Sequence, residues 1–191
     1  MTVKKKRCAW IGKDALMKKY HDKEWGKALH NDKKLFEFLV LDAFQAGLSW
    51  STILNKRENF RKAFDNFNAV KIAKYTQKDI ERLMGDAGIV RNKLKIESTI
   101  TNAQNFLKVK KEFGSFSKYI WNFVGNEPIV NKFKNMKEIP AKSNEAEIMS
   151  KELKKRGFRF VGPTICYAFM QAAGLVNDHT IDCFRYKELT K

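Results

Sequence analysis

The sequence predicts an all-α protein. Apolar residues recur at helical spacing in one segment after another, and these segments carry capping residues at their starts and glycines at their ends. No segment combines the alternation of a strand with the turn chemistry of a hairpin. The chain has 191 residues, of which 43% are hydrophobic, so it can bury one core as a single domain over residues 1–191.

The first predicted helices have clear start signals. In chain order they are "DKKLFEFLVLDAFQAG", "SWSTILNKRENFRKAF" and "TQKDIERLMG". Asp32 is the predicted N-cap of the first and Ser49 of the second. Thr76 and Asp79 are spaced as a capping box at the start of the third.

Three further helices are predicted in the second half of the chain. They are "RNKLKIESTITNAQNFLKVKKEFG", "SNEAEIMSKELKKRG" and "PTICYAFMQAAG". The first is amphipathic, the second is capped by Ser143, and the third has Pro163 near its first turn. Residues 125–143 show no steady period, so we interpret them as an irregular connector between helices.

The charge predicts a polyanionic partner. Lys and Arg number 38 against 21 acidic residues, a net charge of +17, which makes nucleic acid the first candidate. The basic start "MTVKKKRCAW" leads into no apolar run, and no stretch reaches the length of a membrane span. We therefore expect a cytoplasmic protein with no membrane partner, in which three cysteines indicate free thiols or metal ligands.

Two cysteines and two histidines form a candidate metal site. His179 and Cys183, in "HTIDC", are four positions apart, which on a helical turn places both on one face. Near the other end, Cys8 and His21 complete a two-Cys, two-His set. Such a closed set would be a structural site joining residues 8–21 to 179–183. Two surface histidines and two buried thiols are the alternative, and spacing alone does not decide between them.

A second feature is a glycine-bracketed turn between the last two helices. Gly157 and Gly162 enclose a short turn before a helix N-terminus, where backbone N–H groups can bind a phosphate oxygen. A helix-hairpin-helix, here around residues 150–174, holds a DNA backbone in this way. We predict DNA contacts at both glycines and at Thr164, although any helical hairpin can use two glycines.

Several motifs together resemble one family. They are "CAW", "YHDKEWG", "QAGLSW", "ILNKRENFRKAF", "DAGIVRNKLKI", "GFRFVGPTICYAFMQAAGLVNDH" and the terminal Cys183. The chain resembles the DNA-3-methyladenine glycosylase I family, the bacterial Tag enzymes, from about Cys8 to Cys183. The resemblance implies the two-lobed helical bundle of helix-hairpin-helix DNA glycosylases. It also implies a structural zinc that ties the termini together through Cys8, His21, His179 and Cys183.

The activity implied by the resemblance is DNA repair by base excision. The enzyme would flip 3-methyladenine out of alkylated double-stranded DNA and hydrolyse its N-glycosidic bond. Because the methylated base is cationic, it suits aromatic faces and a carboxylate, and it leaves with little acid catalysis. "RFVGPT" in the hairpin offers no Schiff-base lysine. We therefore expect a monofunctional glycosylase. Because nothing in the sequence resembles an obligate interface, we also expect a monomer.

Aromatic residues in the family's motifs are the implied base-binding residues. Trp50 matches the stacking platform, and Tyr20 matches its neighbour in the pocket. Trp10 and Trp25 are further candidates, for which ordinary core packing is the alternative.

The segment "LDAFQAGLSW" departs from the family pattern "LEGxQAGLSW". Asp42 replaces a glutamate that binds the modified base in the family, and it is one methylene shorter, so its contact becomes longer or water-mediated. Phe44 nearby would reshape the pocket. Asp42 remains the predicted catalytic-site carboxylate. Gly47 and Leu48 in the same segment are predicted DNA contacts, with Leu48 filling the gap left by the extruded base.

Two other functions remain open. The first is a DNA-binding homologue with impaired catalysis or shifted specificity, which Asp42 favours. The second is a zinc hydrolase or base deaminase. The sequence disfavours it, because there is no H-x-E paired with P-C-x-x-C and four protein ligands leave a zinc closed. Asp178, beside His179, is expected to have a structural role or to support the metal ligand.

Overall fold

Helices make up most of the described chain. The structure, a computed structural model, describes residues 5–190; residues 1–4, part of the basic start examined for a signal peptide, and residue 191 lie outside that range. Helix accounts for 63% and strand for 2%. The α-helices are α1 Ala15–Lys23, α2 Asp32–Gln45, α3 Trp50–Ala63, α4 Ala69–Ile72, α5 Gln77–Gly85, α6 Lys93–Phe113, α7 Phe116–Trp121, α8 Asn144–Lys155, α9 Pro163–Ala172 and α10 Phe184–Leu189. The all-α prediction is confirmed.

Short elements connect these helices. Single 3₁₀ turns lie at Ala9–Ile11, Asp65–Phe67, Asn122–Val124 and Met136–Glu138, and the strands are β1 Ile129–Val130 and β2 Val176–Asn177. No helix within residues 5–190 has the length and apolar character needed to cross a membrane.

The expectation that the chain has no strand is wrong at one place. β1 and β2 pair in parallel, with Ile129 opposite Val176 and Val130 opposite Asn177. β1 lies inside the segment interpreted as an irregular connector. Two residues are too few to show alternation, so only the packing of distant segments reveals this pair. Because β2 directly precedes Asp178 and His179, the pairing also positions the start of the predicted metal-binding segment.

The predicted helix starts agree with the structure except at α2. Ser49 and Ser143 are N-caps, and Thr76 and Asp79 form a capping box. In α2 the N-cap is Asn31, whose side chain accepts from the Lys34 N–H, and the prediction of Asp32 as cap is wrong. Asp32 instead accepts a hydrogen bond from the Ser117 N–H at 2.9 Å. A long-range contact thus takes the Asp32 carboxylate away from the helix start.

Helix α2 is the centre of the core. Residues 35–44 are all buried, and the helix contacts α3, α6, α7 and α9. This run contains two acidic residues in very different surroundings. Glu37 pairs with Arg57 at 2.6 Å and with Arg61 at 2.7 Å. Within residues 5–190 Asp42 forms no ion pair, and it belongs to the site described below.

The hairpin predicted around residues 150–174 is formed by α8, a short turn and α9. Helix α8 ends in a Schellman motif, in which the Gly157 N–H donates to Lys154 O at 2.9 Å and the Phe158 N–H to Leu153 O at 3.0 Å. Gly157 has φ +84°, a conformation that favours glycine. Gly162 is the N-cap of α9 and has an ordinary φ of −63°. The backbone conformation therefore explains the glycine at position 157 but not the glycine at position 162.

Candidate functional site

The four predicted metal ligands converge into one buried cluster. The ligand atoms of Cys8, His21, His179 and Cys183, called the metal cluster below, all lie within 4.8 Å of one another. Both histidines are fully buried, so the alternative of surface histidines is wrong. Cys183 Sγ lies 3.5 Å from His21 Nε2 and 3.5 Å from His179 Nδ1. A tetrahedral ion with metal–sulfur bonds of about 2.3 Å and metal–nitrogen bonds of about 2.0 Å separates sulfur from nitrogen by roughly 3.5 Å. The donor set therefore fits one tetrahedral metal ion.

Hydrogen bonds hold both imidazoles in the orientation a metal requires. His21 Nδ1 lies 2.9 Å from Asp22 Oδ1, and His179 Nε2 lies 3.0 Å from the carbonyl oxygen of Trp25. A carboxylate and a carbonyl only accept, so these outer nitrogens carry the hydrogens. The inner nitrogens therefore present their lone pairs to the two thiols, and the Cys8 N–H makes a long hydrogen bond of 3.5 Å to His21 Nε2.

His179 and Cys183 meet through a turn and not through a helix. The Cys183 N–H donates to Thr180 O at 2.7 Å, and Cys183 is the N-cap of α10. The predicted convergence of the two side chains is confirmed, whereas the helical turn expected to produce it is wrong. At the other end, His21 lies on α1, which no predicted segment covered.

A cavity of about 360 Å³ brings together all five predicted base-site residues. Trp10, Tyr20, Trp25, Asp42 and Trp50 line it. They come from the N-terminal 3₁₀ turn, from α1 and the residues after it, from α2 and from the start of α3. Residues far apart in the chain are therefore neighbours in one pocket, which is the size of a small-molecule site.

Unpartnered polar atoms are concentrated in this cavity. Trp10 Nε1, Asp42 Oδ2 and Trp50 Nε1 are buried without a hydrogen-bond partner among residues 5–190. In that range only Tyr119 Oη and Arg185 Nε share this condition. Buried polar groups are normally paired, so two donors and one acceptor around a single cavity point to a ligand that supplies their partners.

Asp42 is an unusual carboxyl group. It is 2% exposed, and burial raises its pKa well above the ordinary value, while the charge of Arg57 acts in the opposite direction. Arg57 does not neutralise Asp42, because it is engaged with Glu24 and Glu37 at 2.7 and 2.6 Å. An unpaired carboxylate among aromatic rings is a favourable site for a cation.

The aromatic rings of the cavity pack on one another. The Tyr20 and Trp50 ring centroids are 5.1 Å apart, and those of Trp10 and Trp25 are 5.1 Å apart in an edge-to-face arrangement. Trp10 and Trp25 also contact the metal cluster, with centroids 5.4 Å from His21 and 4.6 Å from His179 respectively. Trp10 and Trp25 thus line the cavity and also pack in the core.

Sequence reasoning missed a large part of the cavity lining. Gln45, Tyr167, Gln171 and the connector residues Met136 and Ile139 also line it. Tyr167 and Gln171 are four positions apart on α9, whose other residues apart from Thr164 are apolar, and this polar pair was a signal that could have been noticed. The connector carries no such signal, because its position over the cavity results from tertiary packing.

The loop after α2 is fixed by a lysine that the sequence analysis did not consider. Lys95 is buried and its Nζ donates to Phe44 O at 2.8 Å and to Ala46 O at 2.6 Å. These are carbonyls at the C-terminal end of α2, where a cation is favourable. The loop that follows contains Gly47, with φ +79°, and Leu48, which is 42% exposed.

The hairpin reaches the same cavity. Thr164, in the first turn of α9, is exposed and lies in the cavity lining. Gly162 precedes it, and a Cβ placed there would meet no atom within 4 Å. Gly157, at the other end of the turn, lies against the Asn105 side chain. The structure therefore brings the predicted hairpin contacts close to the cavity, and their binding to DNA stays a prediction.

Comparison with known proteins identifies relatives along almost the whole chain. A family model described as methyladenine glycosylase matches residues 10–186. The chain is 48% identical over 180 residues to DNA-3-methyladenine glycosylase 1 of Escherichia coli (strain K12), covering 94% of this chain and 96% of the relative. A crystal structure of 3-methyladenine DNA glycosylase I matches with a TM-score of 0.92 and 45% identity, covering 94% of this chain and 98% of that one. A variant of such an enzyme, in complex with 3-methyladenine, matches with a TM-score of 0.91 and 39% identity over 93% and 96% of the two chains.

Proposed function

This chain belongs to the methyladenine glycosylase family, and from that membership we propose that it excises 3-methyladenine from alkylated double-stranded DNA in base excision repair. The observation that carries the proposal is the unpartnered carboxylate of Asp42 in an aromatic cavity. A similar fold binds 3-methyladenine in a solved complex, which supports the same ligand here. Impaired catalysis is not favoured, because Asp42 keeps a carboxylate in the cavity.

The residues of the cavity suit a cationic base. The flipped base would stack on Trp50 beside Tyr20, while Asp42 supplies the opposite charge. Trp10 and Trp25 would complete the base-binding set. We assign Asp42 to the catalytic site. A cationic base beside it would supply the partner that the Asp42 carboxylate lacks in the protein alone.

The bond chemistry is hydrolysis. The C1′–N9 bond breaks, its electron pair goes to the base and cancels the positive charge, and water adds to C1′ and releases a proton to solvent. The protein has to bind and orient the base and to favour the cationic sugar that forms on the way. No lysine occurs among the described cavity residues, and Lys95 is committed to two carbonyls, which supports a monofunctional enzyme.

The remaining assignments complete this proposal. The metal cluster would hold a structural zinc, which matches the two-sulfur, two-nitrogen donor set and leaves no position for a catalytic water. Contacts to DNA would come from Gly47, Leu48, Gly157, Gly162 and Thr164. We further propose a monomeric cytoplasmic protein whose residues 1–191 form one glycosylase domain.

The experiment is release of free base from methylated duplex DNA, followed by chromatography. Wild type should release 3-methyladenine, and Asp42→Asn should release it slower by roughly 10- to 100-fold, the cost of losing one charged contact. Asp42→Glu, which restores the family's residue, should stay active. Asp65→Asn is the control, since Asp65 contacts Lys71 and Tyr75 and does not line the cavity. Wild-type protein that binds DNA but releases no base would leave the DNA-binding homologue as the better description.

A further inference from the structure

Asp178 connects several residues behind the cavity. It is fully buried, and its Oδ2 accepts hydrogen bonds from the Tyr167 hydroxyl at 2.6 Å and from Gln171 Nε2 at 2.7 Å. Its Oδ1 accepts from Asn131 Nδ2 at 2.7 Å. Asp178 does not itself line the cavity, whereas Tyr167 and Gln171 do. The carboxylate therefore acts on the cavity only through its two partners on α9.

The carboxylate dictates which polar atoms these two partners present. Asp178 accepts from both partners, and Gln171 turns the nitrogen of its amide group, Nε2, toward Asp178 at 2.7 Å. The oxygen Oε1 is then the group that Gln171 has left for a ligand, and no residue in the described range donates to it. Tyr167 likewise uses its only hydrogen on Asp178, and burial together with Asp178 raises the pKa of Tyr167, which keeps that hydrogen in place.

The two cavity-lining partners of Asp178 on α9 are therefore left as acceptors toward a ligand. Gln171 offers a carbonyl oxygen, Tyr167 offers only lone pairs, and Asp42 on α2 adds an unpartnered carboxylate oxygen. The buried donors of the lining that lack a partner within residues 5–190 are Trp10 Nε1 and Trp50 Nε1, while Gln45 and Thr164 add polar groups that can both donate and accept. A ligand that donates to Gln171, Tyr167 and Asp42 fits this arrangement, whereas one that presents an acceptor to them places acceptors against each other.

We propose that Asp178 is a positioning residue for base selection, which acts by holding Gln171 and Tyr167 as acceptors. This proposal rests on the proposed glycosylase function and adds to it a reason for the choice between two methylated bases. Adenine and its methylated form carry an amino group at position 6, which donates, whereas guanine carries a keto oxygen, which only accepts. The network thus favours 3-methyladenine over 3-methylguanine. A site that hydrogen-bonds one group rejects an analogue without it far better than an apolar pocket does.

The test measures release of both bases from the same methylated duplex DNA. Asp178→Asn adds an amide donor that removes the constraint on Gln171, and Gln171→Met removes the acceptor at similar length. Each should lower the ratio of 3-methyladenine to 3-methylguanine release by about tenfold, which corresponds to one hydrogen bond. In a background that carries both Gln171→Met and Tyr167→Phe, Asp178→Asn should change the ratio no further, because Asp178 acts through these two residues.

A matched control exists outside the cavity lining. Asp65 also accepts from a tyrosine hydroxyl, that of Tyr75, at 2.6 Å, and neither residue lines the cavity. Asp65→Asn should leave the ratio unchanged. Because His179 follows Asp178, the metal content and melting temperature of each variant are measured beside the ratio. If Asp178→Asn does not fold, Gln171→Met and Tyr167→Phe, which do not alter the metal cluster, decide the question.

The outcomes separate the two proposals. A wild-type protein that releases neither base would overturn the glycosylase function, and the specificity inference with it. If wild type prefers 3-methyladenine and Gln171→Met keeps the same ratio, the role of Asp178 and Gln171 is wrong while the glycosylase function stands. A ratio that falls in both single variants, and that Asp178→Asn lowers no further once Gln171 and Tyr167 are both replaced, supports the inference.

Discussion

Tyr20 and His21 are consecutive residues of α1, yet Tyr20 lines the cavity and His21 belongs to the metal cluster. Trp10 provides a second link, since its ring centroid lies 6.4 Å from that of Tyr20 and 5.4 Å from that of His21. The cavity and the metal cluster thus share one aromatic wall. A structural metal that holds the two ends of the chain together would also hold this wall in place.

Loss of the metal should therefore affect base binding as well as stability. We expect Cys183→Ser to lower the melting temperature by roughly 10 °C or more, because a metal ligand and a tie between distant segments are lost. Binding of 3-methyladenine, followed by tryptophan fluorescence, should weaken in parallel. Cys166→Ser is the control, since Cys166 is buried outside the cluster. A metal-free variant with unchanged base affinity would contradict the coupling.

The buried carboxyl group of Asp42 should lower the free energy of unfolding at neutral pH. Its pKa in the folded protein is raised above the ordinary value of 3.8, so the folded state resists ionisation. As the pH rises above 3.8, the unfolded state ionises more readily, and the stability of wild type falls until the pH passes the folded pKa. Asp42→Asn should therefore be more stable than wild type at neutral pH by roughly 1–3 kcal/mol. The difference should narrow in acid, which melting curves measured across pH will test.

Base release by wild type should also depend on pH through Asp42. The cationic base needs the ionised carboxylate, so single-turnover release should increase as the pH rises through the elevated pKa of Asp42. The rate of base release by Asp42→Asn should not show this increase with pH. A wild-type profile that stays flat from acid to neutral pH would show that the charge of Asp42 is not used.

The two hairpin glycines should respond differently to alanine. At Gly157 the backbone has φ +84°, so Gly157→Ala should destabilise the fold by about 1–2 kcal/mol. Gly162 has an ordinary φ and open space around it, so Gly162→Ala should fold normally. If DNA approaches the backbone there, Gly162→Ala should weaken DNA binding by roughly 5- to 10-fold. Melting curves and DNA titrations distinguish these effects, and unchanged DNA affinity would remove Gly162 from the interface.

Lys95 should support the loop that carries Leu48. Lys95→Met leaves the carbonyls of Phe44 and Ala46 without their donor, at a cost of about 1–3 kcal/mol. Release of base from DNA should slow more than binding of free base weakens, because the proposed role of Leu48 is to fill the gap left by an extruded base. Lys93→Met, on the exposed surface of the same helix, is the control. Equal losses in both measurements would indicate a general loss of folding and not a loop effect.

The sequence by itself determined the features that depend on neighbouring residues. Helix starts at Ser49 and Ser143 and the Schellman end at Gly157 follow from local hydrogen bonding and backbone conformation, which a few consecutive residues encode. Residue chemistry also identified the candidate metal ligands. The resemblance to a family identified Asp42 and Trp50 as candidate residues of the base site.

Only the tertiary structure decided the features that join distant segments. The pairing of β1 with β2, the connector over the cavity and the contact of Lys95 with the end of α2 have no local pattern. Asp178 was judged from its neighbour His179, whereas its hydrogen bonds reach Tyr167 and Gln171 in the cavity. The physical reason is the same in each case: the free energy of these contacts depends on residues that only the folded chain brings together.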